Sequence, residues 1–200
     1  MLLAIDIGNS NISVGLFDEK RDLKFLSSID TDSRKTADQI SIDLMNIFSL
    51  YRYDLRDVSG AIFSSVVPPI NFMMAKALTR LLGKPPMIVG PGVKTGLNIR
   101  MEIHNQLGAD LVAGAVAALD KYPTPIIMID MGTATTLSVV DREGVFRGGM
   151  ILPGLRLSVD ALSARAAQLP CITFTQPEGL LGTDTVSCMR SGALYGAAAA

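Results

Sequence analysis

The sequence predicts an α/β protein built of two similar halves, each a mixed β-sheet flanked by helices, with a cleft between them. The first observation is a repeat. The chain opens with Leu2-Leu3-Ala4-Ile5-Asp6-Ile7-Gly8-Asn9-Ser10-Asn11-Ile12-Ser13-Val14-Gly15-Leu16-Phe17-Asp18, and past its middle reads Ile126-Ile127-Met128-Ile129-Asp130-Met131-Gly132-Thr133-Ala134-Thr135-Thr136-Leu137-Ser138-Val139-Val140-Asp141. Each copy is an apolar strand, an Asp-x-Gly turn, and a second strand closing on Asp, which predicts a β-hairpin with a polar tip. The second observation is that strand-like and helix-like runs alternate after the first hairpin, the signature of a sheet covered by helices. The third is composition: 200 residues that are 48% hydrophobic and only 18% charged can bury a sizeable core.

The elements follow in order. Leu23 to Ile29 continues the first hairpin as a third strand, and Thr31 to Lys35 is polar. From Ala37 the apolar positions Ile40, Leu44, Ile47, Phe48 and Tyr51 recur at helical spacing, with Thr36 placed to cap them. Gly60 to Val67 reads as a short buried strand ended by Pro68-Pro69, and Ile70 to Leu82 as a helix stopped by Gly83. Met87-Ile88-Val89 is a strand leading into the turn Gly90-Pro91-Gly92. Gly108-Ala109-Asp110 opens a helix of small residues from Val112 to Leu119, ahead of the second hairpin. Val145 to Gly154 then supplies a strand and tight turn, Leu155 to Ala167 a helix, and Thr185 starts a last helix that runs to four alanines. That helix ends without a cap signal, so the C-terminal half is expected to be truncated and the natural protein to continue. The duplication places a division between residues 1–105 and 106–200, although no Pro/Ser linker marks it.

Composition also excludes several functions. A net charge of −1 and an isoelectric point near 5.8 give no basic field for nucleic acid. Asp6 and Asp130 interrupt the two strongest apolar runs, so no stretch approaches the ~18 uninterrupted residues of a membrane helix, despite a mean hydropathy of +0.36. The chain opens directly into a strand with no signal peptide, which makes the cytoplasm the expected compartment. Cys171 and Cys188 lie outside any C-x-x-C spacing and are expected as reduced thiols. His104 is the only histidine, which rules out His-based metal sites and Ser-His-Asp triads.

The hairpin tips carry the chemistry. Glycine lets backbone approach a ligand, exposed N–H groups with Asn, Ser or Thr side chains cradle an anion, and the Asp beside them can orient a hydrated cation. Two such tips could clamp the ends of a polyphosphate in the cleft between halves. Asp110, in the first turn of its helix, is placed either to cap N–H groups or to act as a general base toward a primary alcohol, and both can hold at once. Thr133, Thr135 and Thr136 read either as β-branched strand residues or, for Thr133, as a phosphate donor. Gly148-Gly149 and Pro153-Gly154 are turn and close-approach glycines, the second pair also a candidate border of an acceptor pocket. In Gly182-Thr183-Asp184-Thr185, Asp184 is suited to cap the last helix, while the hydroxyls could reach a ligand across a dimer interface. Gly90 to Gly96 lacks the G-x₄-G-K frame of a Walker A loop, and no G-x-G-x-x-G joins a strand to a helix.

Taken together, these blocks resemble the type III pantothenate kinases, a family of actin-like phosphotransferases. The resemblance spans nearly the whole chain. It rests on Asp6 to Asn11, Ser64 to Pro68, Gly92 to Leu97, Gly108 to Asp110, Asp130 to Thr136, Gly148-Gly149 with Pro153-Gly154, Gln168-Leu169-Pro170, and Gly182 with Thr185, Ser191 and Gly192. It implies two actin-like, ribonuclease H-type halves and a homodimer that uses ATP and Mg²⁺ to phosphorylate the primary hydroxyl of pantothenate, the first step of coenzyme A synthesis. Carried over by position, Asp6, Ile7, Gly8, Asn9, Ser10, Asn11, Ile12 and Ser13 hold the ATP phosphates, with Asp6 near Mg²⁺ and Thr133 joining them from the second hairpin. Asp110 is the base, and Gly108, Ala109, Asp110 and Leu111 border pantothenate. Asp130 helps bind a monovalent cation, K⁺ or ammonium, and Thr185 reaches the acceptor site from the partner subunit.

Three features depart from the family pattern. Leu111 stands where an Arg usually follows the base, Ile103-His104 where an Asn-Pro pair is usual, and Gly114 where an Asn is usual. Losing an Arg–carboxylate contact costs about 1.5–3 kcal/mol, unless Arg100, Lys94 or Arg165 substitutes. Leu111 is also the feature that favours an alternative function, a nucleotide- or pantothenate-binding regulator of the same fold with impaired catalysis.

Overall fold

A computed structural model describes residues 1–90, 93–101 and 107–199. The Pro91-Gly92 part of the expected turn, Ile103, His104, the expected division after residue 105, and Ala200 lie outside the described residues.

The first half folds around a five-stranded sheet in the order β3-β2-β1-β4-β5. It comprises β1 (Leu2–Ile7), β2 (Asn11–Phe17), β3 (Leu23–Asp30), β4 (Gly60–Ser65) and β5 (Met87–Ile88). The β1–β2 and β2–β3 pairs are antiparallel, and β4 joins β1 and β5 in parallel, so the sheet is mixed. Alternation along the strands sorts the faces. Leu3, Ile5, Ile7, Ile12, Val14, Leu16 and Phe63 are buried against α1 (Ala37–Tyr51) and α2 (Pro68–Leu82), which contribute Ile40, Leu44, Phe48, Ile70, Met74 and Leu78. Helix α1 starts in a full capping box: Gln39 N–H donates to the Thr36 hydroxyl, and the Gln39 side chain accepts from Thr36 N–H. Helix α2 begins at Pro68, two residues earlier than the sequence suggests. Prolines at the first helical positions lose no hydrogen bond and have φ already set, so the pair opens the helix as well as closing the strand. Gly83, at φ 70°, ends it in the left-handed region.

The second half repeats the plan with a four-stranded sheet, β6-β9-β8-β7. Its antiparallel meander β7 (Ile126–Met131), β8 (Ala134–Val140), β9 (Val145–Pro153) matches β1-β2-β3. The short β6 (Asn98–Ile99), which the sequence does not announce, pairs in parallel with β9 and so belongs to this sheet. Helix α3 (Ala109–Lys121) packs on both β4 and β7 and thereby bridges the halves. Its small residues allow the approach, with Ala115 fully buried beside Val140 and Phe146. Helices α4 (Leu155–Arg165) and α5 (Thr185–Ala199) pack on each other. No helix among the described residues is long and apolar enough to cross a membrane.

Candidate active site

The site is built where the two hairpin tips meet. In the first tip Gly8 N–H donates to the Asn11 carbonyl at 2.9 Å, and in the second Gly132 N–H donates to the Ala134 carbonyl at 3.0 Å. The tips touch directly: the hydroxyls of Ser10 and Thr133, 123 residues apart in sequence, share a hydrogen bond of 2.8 Å. Each is braced from behind. The Thr31 hydroxyl donates to the Gly8 carbonyl at 2.7 Å, and Thr31 N–H to the Ser10 carbonyl at 3.0 Å. Gly154 N–H donates to the Thr133 carbonyl at 3.0 Å. A Cβ on Gly154 would lie 2.3 Å from the Gly132 carbonyl oxygen, so only glycine permits that brace.

Below the tips, the face of the first sheet opposite its core is lined by Ala4, Asp6, Ser13, Gly15 and Ile62, and helix α3 lies across it. Between them is a cleft of about 550 Å³ whose walls include Asp6, Asp110 and Asp130. Three carboxylates contributed by β1, α3 and β7 thus face one space. Asp6 accepts a hydrogen bond from the Ser64 hydroxyl, its neighbour in the parallel β1–β4 register. Asp110 accepts from Leu111 N–H at 2.8 Å, which ties its carboxylate to the helix start. The helix cap itself is Gly108, where an added Cβ would sit 2.3 Å from Asp110 Oδ1; the carboxylate folds back over that glycine. A second cavity of about 380 Å³ adjoins the first, sharing Asp110, Gly114, Ala117 and Asp130 with it, and is lined also by Leu111 and Thr136. Thr136 sits opposite Asp130 in the β7–β8 register, and its buried Oγ1 has no hydrogen-bond partner among the described residues.

An all-oxygen donor set of this kind suits hard cations. Among the described residues no three His, Cys, Asp or Glu side chains converge into a metal cage. Carboxylates presented singly across a cleft fit a Mg²⁺ that keeps its waters and takes further ligands from phosphate.

The geometry therefore brings Asp6, Ser13, Asp110 and Asp130 to one cleft and joins the first tip, Gly8 to Asn11, to Thr133 of the second through Ser10, while Gly108 is the N-cap of α3 two residues before Asp110. Ile7 and Ile12 pair across the first hairpin with their side chains in the core, leaving only backbone to face a ligand. Leu111 lines the adjoining cavity. Thr185 is elsewhere, in a cavity between α4 and α5 with Leu162, Thr183, Asp184 and Gly192. Asp184 caps α5, accepting from Val186 N–H at 2.9 Å and Ser187 N–H at 3.0 Å, and the hydrogen bonds from Ser187 hold its carboxyl below the usual range. Ser64 and Thr136, which lie in blocks that carried the family resemblance, and Thr31 support the site, but what each touches follows only from strand pairing: Ser64 reaches Asp6 because β4 runs parallel to β1.

Comparison with known proteins agrees with this architecture. The sequence profile of type III pantothenate kinase matches residues 2–200. A protein of Listeria monocytogenes named type III pantothenate kinase is 41% identical over 196 residues, which cover 98% of this chain and 75% of that one. One of the same name from Moorella thermoacetica is 41% identical, covering 98% and 77%. Among solved structures, a Baf family protein from Campylobacter jejuni superposes with a TM-score of 0.59 at 17% identity, covering 98% of this chain and 76% of its own. A 2-dehydro-3-deoxygalactonokinase-like protein from Sinorhizobium meliloti gives 0.58 at 11% identity, covering 98% and 78%. At such identities the two structures speak for the fold alone.

Proposed function

We propose a division of labour in this cleft that starts from one premise: the chain belongs to the type III pantothenate kinase family. It is a phosphotransferase that uses ATP to phosphorylate pantothenate for coenzyme A synthesis. The observation that carries the residue assignment is the hydroxyl contact between the tips, Ser10 to Thr133, directly over a cleft lined by Asp6, Asp110 and Asp130.

In this reading the backbone and polar side chains from Asp6 to Ser13, with Thr133, hold the ATP phosphates. Asp6, fixed by Ser64, orients the waters of Mg²⁺. That ion, when bound, neutralises charge on the β- and γ-phosphates. Asp110 takes the proton from the primary hydroxyl of pantothenate as its oxygen bonds to the γ-phosphorus and the bond to ADP breaks. Gly108 to Leu111 border pantothenate. Asp130, with the unpartnered Thr136 oxygen beside it, fits a monovalent cation, K⁺ or ammonium. In the homodimer that the family resemblance implies, Thr185, which lines the α4–α5 cavity of its own copy, would reach pantothenate from the second copy. The two actin-like halves are residues 1–105 and 106–200, with β6 lending its edge to the second sheet.

The test is a coupled ATP-turnover assay with pantothenate varied and K⁺ present or absent. Asp110→Asn keeps the side-chain shape and removes the base, so pantothenate-dependent turnover falls by about 100-fold or more while ATP still binds. Turnover in Asp110→Asn within tenfold of wild type would remove Asp110 from the role of base. Absence of any K⁺ or ammonium dependence would remove the monovalent cation from Asp130.

A further inference from the structure

Duplication extends to the way the two tips are braced. Ser10 precedes β2 and Thr31 follows β3; their counterparts before β8 and after β9 are Thr133 and Gly154. The same bond is made in each half, from Thr31 N–H to the Ser10 carbonyl at 3.0 Å and from Gly154 N–H to the Thr133 carbonyl at 3.0 Å. The halves differ in what the bracing residue adds. Gly154 has no room for a side chain, whereas Thr31 also donates its hydroxyl to the Gly8 carbonyl at 2.7 Å.

That hydroxyl stands where a backbone donor would otherwise be. A two-residue turn such as Asn9-Ser10 closes fully when each flanking residue donates to the carbonyl of the other. In the first tip only half of this exchange is made: Gly8 N–H donates to the Asn11 carbonyl at 2.9 Å, but Asn11 N–H makes no bond to Gly8, whose carbonyl is held by Thr31 instead. Peptide planarity carries the consequence, because the C=O and N–H of a trans unit point in opposite directions. The Gly8 and Ser10 carbonyls both accept from Thr31, so the N–H groups of Asn9 and Asn11, on the same two peptide units, both point away from it. Asn9, Ser10 and Asn11 are exposed, and the N–H groups of Asn9 and Ser10 have no acceptor among the described residues. Successive N–H groups left free in this way form an anion cradle.

Resting on the phosphate reading of the tips given above, we propose that Thr31 is a positioning residue for ATP: its hydroxyl keeps the first tip open and its two hydrogen bonds aim the N–H groups of Asn9 and Asn11 at the phosphates. The residue is suited to that work. It is half-buried at the end of β3, whose pairing with β2 runs without a shift from Asn11 opposite Asp30 to Leu16 opposite Phe25, so the donor is carried by the sheet rather than by the tip it holds. Thr31 touches no substrate in this role and acts only through the peptide planes of Gly8-Asn9 and Ser10-Asn11.

The experiment compares wild type with Thr31→Val, which keeps the shape and loses the hydroxyl, and Thr31→Ser, which keeps the hydroxyl. Titration calorimetry measures binding of ATP and of adenosine, and NMR measures exchange of the Asn11 amide in the nucleotide-free protein. In Thr31→Val the Gly8 carbonyl returns to Asn11 N–H and closes the turn. ATP then binds about 10-fold more weakly, adenosine binds as before, and protection of the Asn11 amide rises by about 10-fold, the effect of one hydrogen bond lost to the ligand and gained by the tip. Thr31→Ser keeps ATP affinity within about threefold of wild type and leaves the Asn11 amide unprotected. Equal weakening toward ATP and adenosine, the mark of a merely structural defect, overturns the assignment, as does an unchanged ATP affinity or an unchanged Asn11 amide in Thr31→Val. A wild type that binds ATP no more tightly than adenosine strikes the phosphate reading of the tips instead.

Discussion

Replacing Gly154 by alanine tests whether the contact between the tips is required for phosphoryl transfer. The new Cβ would lie 2.3 Å from the Gly132 carbonyl oxygen and 2.5 Å from that of Thr133. Both neighbours are backbone and cannot rotate away, so the second tip must retreat by about 1 Å to reach ordinary contact. Thr133 rides on that tip, and its 2.8 Å bond to Ser10 is broken by a retreat of that size. A misplacement of about 1 Å at a positioning group costs on the order of 100-fold in rate. Overpacking costs about 1–3 kcal/mol of stability, which at 200 residues lowers Tm by roughly 2–4 °C per kcal/mol. Steady-state kinetics read the effect as a kcat/KM for ATP reduced about 100-fold, with KM for pantothenate moved much less. The control is Gly196→Ala in α5, where nothing lies within 4 Å of the new methyl and a helical alanine gains up to about 1 kcal/mol. If Gly154→Ala holds kcat/KM for ATP within threefold of wild type, the tip contact is dispensable and the clamp reasoning is wrong.

Other expectations follow from the same geometry. Gly108→Ala pushes the Asp110 carboxylate, 2.3 Å from the new Cβ, off its present position; kcat drops at least tenfold while ATP affinity measured by titration calorimetry is retained. Thr36→Ala removes the capping box of α1 and costs about 1 kcal/mol, seen as a lower midpoint in denaturant with unchanged kinetics, because α1 lies on the face of the first sheet remote from the cleft. Asp184 titrates below the ordinary carboxylate range, chiefly through the backbone and hydroxyl of Ser187. Its capping of α5 is therefore complete above a pH of about 4 and is lost as acid takes the pH down through its lowered folded value. The protection factors of the Val186 and Ser187 amides, exchange rates corrected for their intrinsic pH dependence, fall in acid and lose that fall in Asp184→Asn.

Much of the site is legible in the chain because it is local. Asp-x-Gly followed by small polar residues between two apolar strands makes a hairpin tip wherever it occurs, and its repetition announces two tips rather than one. Thr36 with Gln39, and Gly83 after an apolar periodic run, declare helix ends through contacts within four residues. Even Pro68-Pro69, which reads as a stop, is a start for the same local reason, since a proline at the head of a helix lacks only a hydrogen bond that the position never makes.

Sequence by itself determined the type of the longer strands and helices and the duplication of the hairpin, because those depend on periodicity and turn geometry over a few residues. Tertiary structure decided which residues meet. The Ser10–Thr133 contact, the pairing of β6 with β9, and the Ser64 brace on Asp6 all join residues from separate strands or loops. No local pattern encodes such neighbours. They follow from the parallel register of β1 with β4 and from α3, whose small side chains let it lie against both sheets at once.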